Sequence, residues 1–217
     1  MRLIRSLAIK GGLLAPLCSS LLAAQMPGAP VLQNAWAAPG IVIAGNIAGG
    51  SGSNVYAGAV GWAPSSGRFQ VSGGAGMQSR SGASRTVYGA RLALPLKQIM
   101  SGKVGIAGFA GIGGGPAKAG DTTSSTSVIP AGLAIGYRQA IGTSGRGISA
   151  YVDPSYQHHT GSNGSKGYIR VAGGLDAGIS PRYGLTVGFE SGARADNGTV
   201  GPSGTLYGVG VSMKLGR

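Results

Sequence analysis

Acidic side chains and thiols are scarce in this chain: five Asp and Glu and a single cysteine, Cys18, among 217 residues. One cysteine excludes a disulfide framework, and its place near the N-terminus keeps thiol catalysis and cysteine metal ligation out of the folded part. The two histidines, His158 and His159, are adjacent and belong to no carboxylate cluster with metal-ligand spacing, so the sequence implies no metal and no cofactor. Beyond the first 24 residues no apolar run is long enough for a transmembrane helix. The glycines from Gly108 to Gly115 are followed by no Gly-Lys-Ser/Thr, which excludes a phosphate loop. The cations are dispersed rather than interleaved with aromatics, which argues against nucleic acid as a partner.

Glycine is abundant instead, at 44 positions without collagen spacing. The glycines lie within stretches that alternate at period two. The last of these is the clearest: Tyr207, Val209, Val211, Met213 and Leu215 fall on one face, and Gly208, Gly210, Ser212 and Lys214 on the other. A soluble domain would cover such an apolar face with a second layer, yet the chain contains no helical pattern that could do so. In lipid, backbone polar groups are satisfied only in helices or closed barrels. The pattern therefore predicts an all-β fold, a closed antiparallel up-and-down transmembrane β-barrel. About ten strands are expected, at 40–48, 54–63, 68–78, 85–94, 103–113, 127–138, 147–158, 167–180, 184–193 and 205–215, with eight as the alternative if the first is a periplasmic extension. Tight turns such as Pro64 to Gly67 would be periplasmic. The longer polar segments at 114–126, 159–166 and 194–204 would be extracellular loops.

Arg2, Arg5 and Lys10 precede the apolar stretch Gly11 to Ala24, which Pro16 interrupts. This is the pattern of a secretory signal. Ala35-Trp36-Ala37 is a small-x-small cleavage site, so residues 1–37 read as leader and 38–217 as one barrel domain. Leu22-Ala23-Ala24 offers an earlier cut.

Opposite the large apolar residues stand Gln70, Ser72, Arg91, Asp153, Arg170, Asp176 and Glu190. Charges enclosed in a narrow barrel are costly unless paired, so Arg91 and Arg170 are expected to face Asp153, Asp176 and Glu190 in one lumen network. The formal charge is +13, or +10 without the three leader cations. Arg80, Arg85, Lys118, Lys166 and Arg194 fall toward the longer loops, where the phosphates of lipopolysaccharide are the nearest polyanion. Arg68, Lys97, Arg146 and Arg182 fall at the other rim.

The alternation in the final strand resembles the C-terminal assembly signal of small bacterial outer-membrane β-barrel proteins, with Leu215 in place of the terminal aromatic and Gly216-Arg217 after it. The resemblance extends as a repeated pattern from about Gly40 onward. It implies a monomer in the bacterial outer membrane, in contact with outer-membrane lipids and lipopolysaccharide and delivered through the barrel-assembly machinery, with a structural, surface-interaction or narrow-channel role. His159-Thr160-Gly161-Ser162-Asn163 resembles the His-x-Ser-Asn signature of outer-membrane lipid A deacylases, with one residue more between histidine and serine. That resemblance implies His159 as base, Ser162 as nucleophile, and Asp153 or Asp176 orienting the imidazole. A soluble exported Gly-rich surface β-protein is the remaining alternative.

Overall fold

An extended chain sends successive side chains to opposite faces of a sheet, so alternation of large apolar with small or polar residues has a direct structural product. The computed structural model describes residues 33–37, 39–80, 83–119, 122–141, 146–161, 164–192 and 204–215. Its strands are β1 (Gly40–Gly50), β2 (Ser53–Ala63), β3 (Gln70–Arg80), β4 (Ala83–Ile99), β5 (Val104–Ala119), β6 (Thr122–Ile141), β7 (Arg146–Gly161), β8 (Gly164–Gly178), β9 (Tyr183–Gly192) and β10 (Leu206–Leu215). Each pairs antiparallel with its sequence neighbours, and β10 returns to β1 to close the barrel. Closure removes the unpaired edges that an open sheet would present.

The seam between β1 and β10 runs from Ile41 opposite Leu215 to Gly49 opposite Tyr207, so the first strand is a full member and the count is ten, not eight. Its inward positions include Val42, Asn46 and Ala48, all buried. They are small or neutral, so this strand fills its part of the interior without adding charge.

The expected contrast between short turns and long loops takes another form. Residues 114–126 and 159–166 lie largely in strands: the β5–β6 ladder continues to Ala119 opposite Thr122, and the β7–β8 ladder to Gly161 opposite Gly164. Polar Ser and Thr residues keep the extended conformation there because cross-strand backbone hydrogen bonds do not depend on side-chain polarity. The barrel thus has tall hairpins at the end away from the termini. Ser51 and Gly52 close β1–β2 with φ of 51° and 73°, the left-handed pair that a two-residue hairpin requires. β4 runs past Pro95 to Ile99 by a bulge between Pro95 and Lys97, which accommodates the missing proline N–H.

The outer surface is apolar. Ile43, Ile47, Val60, Leu92, Leu94, Ile129, Leu133, Ile135, Val152, Ile169, Leu175, Val187, Val209 and Val211 all point away from the lumen and are exposed. Aromatic residues bracket this belt. Trp62, Tyr137 and Tyr183 lie toward the end that carries the termini, and Tyr56, Tyr88, Tyr156, Phe189 and Tyr207 toward the other, all exposed. In β2 the two levels are marked by Trp62 and Tyr56; elsewhere Tyr137 pairs with Ala150 and Tyr183 with Met213. In each place the levels are six residues apart in sequence, about 20 Å along a strand.

Residues 33–37, expected to belong to the leader, lie inside the mouth of the barrel at this same end. Ala35 packs on Ala107, Phe109 and Ala134 of the inner wall, with Trp36 beside it.

Candidate functional site

The lumen collects the polar chemistry because the outward positions are occupied by apolar side chains. All three acids among the described residues, Asp153, Asp176 and Glu190, face it. Glycine and alanine supply many of the other inward positions, which leaves room for long side chains to cross. Among the described residues their direct contacts fall into three clusters.

The first is Arg91 of β4 with Asp153 of β7. Their Nη2 and Oδ2 atoms are 3.0 Å apart, and both side chains are buried, at 4% and 0% exposure. Since β5 and β6 lie between these strands, the pair reaches across the interior rather than along the wall. The Arg91 guanidinium carbon also lies 3.9 Å from the ring centroid of Phe109, a cation–π contact strengthened by the absence of competing solvent. Arg91 Nε and Nη1 and Asp153 Oδ1 make no hydrogen bond among the described residues. The pair therefore rests on charge attraction and the aromatic face more than on a complete hydrogen-bond set.

The second cluster joins neighbouring strands. Arg170 Nε donates to Glu190 Oε1 at 2.9 Å, and Gln157 Nε2 donates to the same oxygen at 3.1 Å. Gly192, directly opposite Arg170, makes the geometry possible, since a Cβ there would lie 2.7 Å from Arg170 Cγ. The third cluster surrounds Asp176, which accepts hydrogen bonds from Thr186 Oγ1 at 2.6 Å, from Ser149 Oγ at 3.2 Å and from Asn34 Nδ2. Asp176 is thus held by neutral donors from three segments; its direct partners in the structure do not include the expected arginines.

Of the cations assigned to the loop rim, Arg85 turns inward, where its Nε donates to Gln78 Oε1 at 2.8 Å, and Gln78 in turn donates to Ser53 Oγ at 2.7 Å. Arg85 is therefore part of the lumen wall rather than an outward contact. Lys166 is exposed and sits opposite His159 in the ladder. Arg80 and Lys118 lie in β3 and β5, and Arg194 falls outside the described residues. Arg68, Lys97, Arg146 and Arg182 are exposed at the end that carries the termini.

The residues considered for lipid A hydrolysis do not assemble with their expected orienting acids. His159 is buried on the lumen side, with its ring edge-on to Tyr168 at 5.1 Å between centroids. Asp153 is six residues away along the same strand, about 20 Å, and Asp176 is ten residues along β8 from the residue opposite His159, about 33 Å. Neither carboxylate can orient this imidazole. Ser162 lies outside the described residues.

Phe109, Gln157, Thr186 and the Asn34–Trp36 segment were absent from the expected lumen set. Phe109 had a readable signal: Ile106 and Ile112 share one parity on β5, and Phe109 has the other. Asn34 and Trp36 were set aside with the leader, and only the folded chain brings them to Asp176 and β5.

No protein-family model matches this chain, and no curated protein matches it in sequence. Among solved structures it is similar to the N-terminal β-barrel domain of Pseudomonas aeruginosa OprF, with TM-score 0.38 and 8% identity over 80% of this chain and 95% of that one. It is also similar to the β domain of the Bordetella autotransporter BrkA, with TM-score 0.44 and 13% identity over 81% of this chain and 98% of that one.

Proposed function

We propose that this protein is a structural barrel of the bacterial outer membrane whose lumen is closed to solutes. The observation that carries the reading is the inverted polarity of the fold: buried ion pairs lie within, and an apolar belt with aromatic borders lies outside. In water that arrangement would leave a continuous apolar belt exposed at a large hydration cost, whereas a bilayer covers it. Closure rather than conduction is supported by Arg91 and Asp153, which meet across the interior with Phe109 beneath the guanidinium.

In this reading the hairpins away from the termini face outward. Exposed Lys166, together with Arg80, Lys118 and Arg194, contributes cationic character toward lipopolysaccharide phosphates. The apolar face of β10 serves assembly into the membrane. The experiment is extraction and reconstitution: the mature protein should remain in the membrane pellet after alkaline or urea treatment, and liposomes containing it should stay impermeable to small sugars and amino acids. Release into the supernatant would support a soluble exported β-protein instead. Solute flux by the wild-type protein would replace the structural role with a channel.

A further inference from the structure

The geometry points to the segment Gln33–Ala37 as a retained plug of the lumen at the end that carries the termini, which requires the leader to be cut ahead of Gln33, at Ala24, rather than at Ala37. This rests on the reading of the chain as an exported barrel and adds a built-in closure to it.

A processed leader has no reason to fit the folded domain, yet this segment fits in detail. Gln33 and Ala35 are 5% and 3% exposed. Asn34 Nδ2 donates to Ser149 Oγ at 2.8 Å and to Asp176, so one of the three enclosed acids relies on the segment for a donor. Trp36 lies against two glycines of adjacent strands. A Cβ on Gly105 would stand 2.8 Å from Trp36 Cε2, and one on Gly136 would stand 2.9 Å from Trp36 Cη2 and 2.8 Å from Asn34 Oδ1. No real Cβ is found so close, so the indole and Asn34 occupy space that only glycine leaves free at both positions. The Arg138 guanidinium lies over the Trp36 ring, 5.0 Å from its centroid. Ala35 then seals against Ala107, Phe109 and Ala134. Cleavage after Ala37 would remove all of these contacts at once. It would uncover the inner face of Phe109, the residue that supports Arg91, and open a path toward the Arg91–Asp153 pair.

The ligand of this site is therefore the chain's own N-terminal peptide. A gap of about 320 Å³, lined by Asn34, Trp36, Asp176, Arg182 and Lys214 among others, lies beside it.

Two measurements test this. The first is the N-terminal residue and intact mass of the protein extracted from membranes: a start at or before Gln33, with Gln25 expected, supports the plug, and any later start overturns it. The second uses Ala134→Cys, a position 0% exposed beneath Ala35, in the otherwise thiol-free mature chain. A water-soluble maleimide should label it about tenfold faster or more when Trp36→Ala is added, or when residues 33–37 are deleted, in samples that keep the heat-resistant folded band. Equal labelling with and without these changes would overturn the plug even if the N-terminus is Gln25. Neither result depends on whether the wild-type barrel conducts, so failure of the plug and failure of the closed-barrel reading can be told apart.

Discussion

At the scale of single residues, the lumen is where one atom's partner decides stability. Arg170→Ala leaves Glu190 buried without its guanidinium, with Gln157 still donating to its Oε1, and breaking an enclosed pair by removing one partner costs about 3 to 5 kcal/mol. The folded band on a gel should then melt at lower temperature than wild type. Replacing both partners by Met should recover most of the loss, since no uncompensated charge remains. A double variant no more stable than Arg170→Ala would show that the pair contributes more than mutual neutralisation. Arg91→Ala should act through another consequence, because its partner comes from a strand on the far side of two others. Liposomes with this variant should leak small solutes if the pair closes the interior, and unchanged impermeability would assign closure elsewhere. His159→Ala should leave the lipid A of overproducing cells unchanged, because Asp153 and Asp176 lie too far along the ladder to orient the ring. Loss of an acyl chain with wild type that this substitution abolishes would restore the hydrolase reading.

At the scale of elements, β10 and the tall hairpins carry separate tests. Val209 and Val211 are 50% and 60% exposed on the outer face, and a cation near the bilayer midplane costs about 2 to 4 kcal/mol. Val211→Arg should reduce the yield of folded protein in membranes, and assembly at wild-type level would remove the outward face of β10 from contact with lipid. A tag inserted after Gly161, the last residue of β7, should be reachable by antibody on intact cells, while one after Ser65, in the β2–β3 turn, should not. Equal labelling of both would reverse or cancel the orientation. The strand positions were readable because period-two alternation survives wherever one face of a strand is apolar and the other lines the lumen. Their lengths were not, since residues 114–119 and 122–126 have no apolar rhythm and are held extended by the ladder between β5 and β6.

At the scale of the whole molecule, the decisive feature is closure between the first and last strands. Ala44 and Ser212 are direct Cα partners across that seam, close enough in an antiparallel pair for a disulfide. Ala44→Cys with Ser212→Cys should cross-link on oxidation, and the boiled, unreduced chain should migrate faster than the reduced one. Failure to cross-link in the folded band would leave β1 outside the barrel and return the count to nine or fewer paired strands.

By itself the sequence determined the class of fold, the approximate place of each strand and the inward turn of the described acids and of Arg91 and Arg170, because those follow from side-chain alternation and the cost of leaving ions on an apolar face. Tertiary structure alone decided which charge meets which. Register and barrel curvature bring Arg91 to Asp153 over intervening strands, give Glu190 rather than Asp176 to Arg170, and turn Arg85 to Gln78, and none of these pairings has a local pattern in the chain. It also decided the place of Asn34 and Trp36. Read locally, they are part of a cleavable leader, and only the pocket left by Gly105 and Gly136, on strands some seventy to a hundred residues later in the chain, makes them part of the barrel.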